Sequence, residues 1–295
     1  METKDKLILG GATVVAGAAA VGASIWSFRR LMPKPRSFET EKRKVSCDKR
    51  YIDAGSHRIY GELMRPVDAE GPLPTVICCH GFGSSYLLCK QTMAMCFAMS
   101  GLQAFVFDFY GGNLNSRSGG KMTEMSIFTE REDLNAVIDA VVQFPEVDPQ
   151  NLFLLGESQG GCVSGITAPY HSDQIKAMVL YYPAFCIPDD ARKRHKSVED
   201  IPKVEKVFNL KVGKTYSEKL LDYDIYEEIK GYTRPVLIIH GNSDDVVDIS
   251  YGKRASEVYK DCEFVELDGE SHGFSAKGKS TAAELSYHFL KKHID

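Results

Sequence analysis

A serine with a glycine two positions away on each side, Gly156-Glu157-Ser158-Gln159-Gly160, follows an apolar run at 151–155 and precedes the small residues Gly161 and Cys162. On a strand-to-helix turn this G-x-S-x-G spacing lifts the serine hydroxyl above a sheet edge, because the glycines let the backbone turn sharply. Such a hydroxyl becomes a nucleophile once a base takes its proton. The pentapeptide alone is weak evidence, since three fixed residues recur by chance in about one chain in ten of this length. It gains weight only if an acid and a base follow where they can reach it.

Both follow in that order. Pro235-Val236-Leu237-Ile238-Ile239 reads as a buried strand, and His240-Gly241-Asn242-Ser243-Asp244-Asp245 comes directly after it. A carboxylate just past a strand end can accept the Nδ1 proton of a histidine and balance its charge. Asp244, nearer the strand end, is preferred to Asp245, although in isolation two such aspartates would cap a helix or solvate a turn. The apolar segment 262–267 leads into Asp268-Gly269-Glu270-Ser271-His272-Gly273-Phe274. A histidine in a Gly- and Ser-flanked loop is free to turn toward the serine, so His272 is the base candidate. Of the other histidines, His57, His171, His195, His288 and His293 read as surface or helix-face residues. No pair has metal-ligand context and H-E-x-x-H is absent, so no cofactor is expected.

Two backbone N–H groups must also face the oxygen on which negative charge develops. Gln159, after the candidate nucleophile, supplies one. The run Thr75-Val76-Ile77-Cys78-Cys79 before His80-Gly81-Phe82-Gly83 makes Phe82 the expected second donor. His80 and His240 each close a strand as His-Gly and are expected to shape the turns.

Strand, His80-Gly81 loop, Ser158 turn, Asp244 and His272 in this order resemble the α/β-hydrolase fold over roughly residues 45 to 293. Within that superfamily the chain resembles the bacterial cinnamoyl and feruloyl esterases and their lysophospholipase-like, or serine-aminopeptidase-like, relatives. The stretches that carry this are Gly156 to Gly161, Asp222-Tyr223-Asp224-Ile225-Tyr226-Glu227, and His240-Gly241 to Val247. The resemblance implies a serine hydrolase acting on small-molecule esters. One stretch departs: where such esterases show an N-G-H-G-x-S loop bordering the acyl site, this chain has Tyr110-Gly111-Gly112-Asn113-Leu114-Asn115-Ser116. The triad carries over and the substrate does not. A peptidase of the same fold and a non-catalytic binding module are the alternatives. For the first, only Asp189-Asp190 in the expected cap offers carboxylates for an amino terminus.

The supporting elements read as an α/β fold. A hairpin of strands at 45–52 and 57–64 comes first. Strands at 74–79, 103–108, 151–155 and 176–181 then alternate with helices at 85–99, 129–143 and 159–168, with a turn at Asp148-Pro149. Such alternation predicts a mostly parallel sheet with helices on both faces. About fifty residues, 183–233, carry mixed signals and read as a small cap, in which Phe185, Ile187, Val207, Phe208 and Tyr216 are candidates to line an acyl or aromatic pocket.

The net charge of -4 and 26% charged residues are ordinary, and no basic patch with interleaved aromatics points to nucleic acid. The cluster Arg192 to Lys196 reads as a solvated face. Eight cysteines would permit four disulfides, but Cys78 and Cys79 project to opposite faces of one strand, and Cys89, Cys96 and Cys162 fall in apolar contexts, so free thiols are expected. Residues 7–28 form an uncharged run of 22 residues, long enough for a bilayer span. An uncleaved anchor over 1–36 with its stiff linker is the preferred reading, ahead of a 37–295 hydrolase domain. Ala18-Ala19-Ala20 would also fit a cleavage site. Lys and Arg after the span place the domain on the cytoplasmic side.

Overall fold

The computed structural model describes residues 43–295. Val45–Asp53 (β1) and Arg58–Pro66 (β2) form an antiparallel hairpin, followed by Leu73–Cys79 (β3), Gln103–Phe107 (β4), Val147–Glu157 (β5), Ile175–Tyr181 (β6), Val204–Val207 (β7), Leu210–Gly213 (β8), Val236–Gly241 (β9) and Cys262–Leu267 (β10). Eight of these strands make one sheet in the order β1-β2-β4-β3-β5-β6-β9-β10, and every pairing from β4 to β10 is parallel. This is the α/β-hydrolase fold, as the sequence leads one to expect.

The period-2 geometry of a strand explains why both faces are apolar. Ile77 and Cys79 of β3, with Leu152 and Leu154 of β5, belong to one core layer. Val76, Cys78, Phe153 and Leu155 belong to the other. The first layer is covered by Ile127–Val141 (α3), Gln159–Thr167 (α4), Ile225–Ile229 (α6) and Ile249–Val258 (α7). The second is covered by the helical turns Tyr86–Cys89 (α1) and Met95–Met99 (α2) and by Ala276–Lys292 (α8). All eight cysteines are free, with Cys78 and Cys79 on opposite faces.

Two details differ from expectation. The helix expected at 85–99 is broken by a π-helical turn, Lys90–Ala94, where the Thr92 hydroxyl donates to the Leu88 carbonyl at 2.8 Å and competes with the backbone ladder. The turn at Asp148-Pro149 lies inside β5 as a bulge. Pairing jumps from Leu73↔Val147 to Thr75↔Leu152, and the Asp148 carboxylate accepts from the Gln150 amide at 3.0 Å and from the Asn151 side chain. The segment between β6 and β9 contains Ile187–Arg194 (α5), the antiparallel hairpin β7–β8 and α6.

Membrane anchoring is corrected. Among the described residues no helix is long and apolar enough to cross a membrane. Residues 7–28, on which the anchor, the membrane partnership and the cytoplasmic placement rested, lie outside the described residues. Ten of those 22 residues are Ala or Gly, which remove little apolar area from water.

Candidate active site

Ser158 sits between β5 and α4 with φ 53° and ψ -120°, a left-handed conformation that a residue with a side chain adopts only under constraint. The constraint is visible. Its amide donates to the Tyr181 carbonyl at 3.0 Å, and its carbonyl accepts from Ala184 at 2.9 Å. The flanking glycines are required by close approach: a Cβ on Gly156 would stand 2.4 Å from the Gly160 carbonyl oxygen, and one on Gly160 would stand 2.3 Å from that of Cys79. Two adjacent parallel strands are thereby pulled against the start of the helix.

The loop after β10 carries His272 back over this turn. His272 Nε2 lies 3.0 Å from Ser158 Oγ, and its Nδ1 lies 2.8 Å from Asp244 Oδ2. The His272 ring also packs on Tyr182 at 4.7 Å, and Tyr182 is fixed by Phe274 at 4.6 Å and by donating its hydroxyl to Glu157 at 3.1 Å. Asp244 comes from the loop after β9, as expected. Its side chain is wholly buried, which by itself opposes ionisation, yet its carboxyl is held well below the usual range by hydrogen bonds from His240, His272 and the amides of Val247 and Val246. Asp245 is exposed.

His240 was expected only to shape its turn. It does so, with Nε2 2.9 Å from the Val247 carbonyl, but the same nitrogen is also 3.2 Å from Asp244 Oδ2. The buried His240 therefore holds the same carboxylate oxygen as His272. The sequence signal was its place at the strand end four residues before Asp244. His80 does what was expected of it: buried and pushed below its usual pKa by desolvation, it contacts the Gly81 carbonyl through Nδ1 at 2.9 Å and accepts the Phe109 amide on Nε2. Gly81 is thereby set against Ser158, where an added Cβ would be 3.1 Å from the serine Cβ.

The Phe82 amide has no acceptor among the described residues. Gln159 is the first residue of α4, where an amide has no intrahelical partner. Both residues line the cavity that contains Ser158. Behind them lies a buried chain that sequence reasoning missed. Tyr216 donates to Gln159 Oε1 at 2.9 Å, and Gln159 Nε2 donates to Glu130 at 2.8 Å. Glu130 is buried with no cation partner among the described residues, and desolvation pushes its carboxyl up to about 8.

The cavity measures about 350 Å³. Ile187, Val207, Phe208 and Tyr216 line it as expected, but Phe185 does not: its ring belongs to the core and to a separate cavity of about 290 Å³ beside Arg192 and Tyr226. None of Tyr110 to Ser116 lines the cavity. That loop instead supports the Phe82 turn, the Gly112 carbonyl accepting the Gly83 amide at 3.1 Å. His171 and His195 are buried rather than superficial, held by Gln174 and Asn135 and by Glu205 respectively. His57 is mostly buried against Asp133.

A family model described as serine aminopeptidase, S33, matches residues 70–222. The chain is 25% identical over 236 residues to the acetyl esterase Axe7A of Xylanibacter ruminicola, covering 71% of this chain but 50% of that protein, so it spans about half the length of this curated relative. Est1E from Butyrivibrio proteoclasticus, solved with ferulic acid bound, superposes with a TM-score of 0.74 at 25% identity, covering 83% of this chain and 98% of that one. DcsB, solved with a substrate analogue, gives 0.69 at 18% identity over 84% and 99%, which speaks to the fold alone. With the family model matching more than half of its length, this chain belongs to the serine aminopeptidase S33 family of α/β-hydrolases.

Proposed function

We propose that the protein is a serine hydrolase that cleaves carboxylic esters through an acyl-enzyme. The observation that carries this is the continuous relay from Ser158 Oγ through His272 to Asp244, with contacts of 3.0 and 2.8 Å, opening on a cavity that fits a small ester. In this reading Ser158 Oγ attacks the acyl carbon while His272 Nε2 takes its proton. The Phe82 and Gln159 amides hold the oxyanion as the tetrahedral centre forms. His272 then gives the proton to the departing alkoxide, leaving the acyl group on Ser158. Water, deprotonated by the same nitrogen, attacks the acyl-enzyme, and Ser158 regains its proton. Asp244 stays ionised throughout and orients and stabilises the imidazolium. No cofactor enters these steps. The segment 183–233 serves as the cap over this cavity.

An ester is favoured over a peptide amino terminus by the state of the cap carboxylates. Asp189 is taken by Arg192 at 2.6 Å and by Tyr251 at 3.0 Å, and Asp190 by Lys193 at 3.0 Å, which leaves neither as a free counter-charge for an ammonium. The esterase relative and the ferulic-acid complex support the same choice. The test is hydrolysis of 4-nitrophenyl acetate, methyl ferulate and amino-acid anilides by the protein and by Ser158→Ala. Ester turnover that falls by about 10⁴-fold or more in the variant is expected, because triad members act as a unit. Anilide turnover exceeding ester turnover, or ester turnover retained in Ser158→Ala, contradicts the proposal.

A further inference from the structure

The chain carries a net charge of -4, yet three cations, Lys193, Arg194 and Lys206, line the cavity against the single carboxylate of Asp190. Two of these cations are already paired, Lys193 with Asp190 at 3.0 Å and Arg194 with Glu205 at 3.2 Å. Lys206 is not: among the described residues it has no ion pair and no hydrogen bond. An exposed lysine is by default a solvated one, and its position alone would say nothing. What distinguishes this one is the hairpin that presents it.

Lys206 lies on β7, two residues before a turn in which Phe208 has φ 46° and Asn209 has φ 65°. Asn and Gly suit such a turn, whereas a bulky aromatic in left-handed backbone is strained. Phe208 is also 69% exposed, so burial does not offset that strain. Its ring stands at the cavity, 6.2 Å from Phe82, which in turn lies 5.6 Å from Tyr216. The hairpin thus presents an unpaired ammonium and an exposed aromatic face to the cavity that contains Ser158. A ligand that uses both has an apolar or aromatic body and a negative charge.

We propose that the ester hydrolysed at Ser158 bears an anionic group, and that Lys206 on the β7–β8 hairpin is the residue that selects it while Phe208 contacts the apolar body. This rests on the ester-hydrolase reading above. The substrate carries this charge before the reaction and one of the two products keeps it afterwards, so the gain lies in binding rather than in the chemical step. A charge pair at a solvent-exposed mouth is screened by salt, so the preference is greatest at low ionic strength.

The experiment compares kcat/KM for two matched pairs: 4-nitrophenyl hydrogen adipate with 4-nitrophenyl hexanoate, and 4-acetoxybenzoate with phenyl acetate. These place the charge on the acyl and alcohol sides respectively. In 20 mM NaCl one anionic ester is expected to exceed its neutral partner at least about threefold, through KM, and 0.5 M NaCl is expected to erase the difference. In Lys206→Glu the anionic-to-neutral ratio of that pair is expected to fall about tenfold. Lys203→Glu, the same charge change on an exposed residue away from the cavity, is expected to move it less than about twofold. Turnover of the neutral esters with no anionic preference, a preference unchanged in Lys206→Glu, or an equal fall in Lys203→Glu overturns the inference and leaves the esterase reading standing. Failure to turn over any of the four esters overturns both.

Discussion

Asp244 Oδ2 lies between two imidazoles, 2.8 Å from His272 and 3.2 Å from His240, while Oδ1 accepts the Val246 and Val247 amides at 2.9 Å each. A buried carboxylate satisfied on every side keeps both its charge and its orientation, which is what a base-orienting residue must do. Asp244→Asn is therefore expected to lower kcat by about 10³- to 10⁴-fold on small esters, whereas Asp245→Asn, in exposed surroundings, changes it by less than about tenfold. His240→Leu removes one of the two imidazole contacts without touching substrate. Its expected effect is a fall in kcat of about tenfold with KM within about twofold. Steady-state kinetics decide both; a larger loss in Asp245→Asn than in Asp244→Asn would place the acid one residue later. The position of Asp244 was legible because it lies just past a strand end. His240's second contact was not, because the sequence gives strand position but not which side of a carboxylate a neighbouring ring occupies.

Two helices and the segment between β6 and β9 are linked through a single buried carboxyl. Glu130 on α3 accepts from Gln159 on α4, which accepts from Tyr216 of the segment between β6 and β9. Burial raises the Glu130 pKa from 4.5 to about 8, so the folded state binds its proton more tightly than the unfolded state does. By linkage this group favours folding most below about pH 4.5, and its contribution is lost as pH rises toward 8, a change of roughly 3 to 5 kcal/mol. Glu130→Gln, which keeps an acceptor for Gln159 and cannot ionise, is expected to match the parent near pH 4.5 and to exceed it by several kcal/mol at pH 8.5. Urea unfolding across that range measures it, and parallel stability curves would show that Glu130 is not buried uncharged. At this scale the βα alternation was legible from period-2 apolar runs and their spacing. The β7–β8 hairpin was not, because Val204-Glu205-Lys206-Val207 does not alternate apolar with polar residues and the Phe208-Asn209 turn lacks glycine.

Across the whole molecule, the three candidate residues come from the ends of β5, β9 and β10, in a sheet where β5, β6, β9 and β10 are consecutive parallel neighbours. Parallel strands end on the same edge, so residues as far apart in sequence as Ser158 and His272 converge there without any long loop. That convergence was implicit in the sequence order of strand ends. The cavity was not, because its walls come from α5, the β7–β8 hairpin and the loop after β9, whose approach depends on tertiary packing. The central claim is that this convergence makes Ser158 the one activated nucleophile of the chain. The most direct measurement is covalent trapping with a fluorophosphonate, read by intact mass and by peptide mapping of the parent protein and of His272→Ala. One adduct per chain on Ser158, formed in the parent and suppressed in His272→Ala, is the predicted result. An adduct on another serine, or one on Ser158 that forms equally fast without His272, would contradict it.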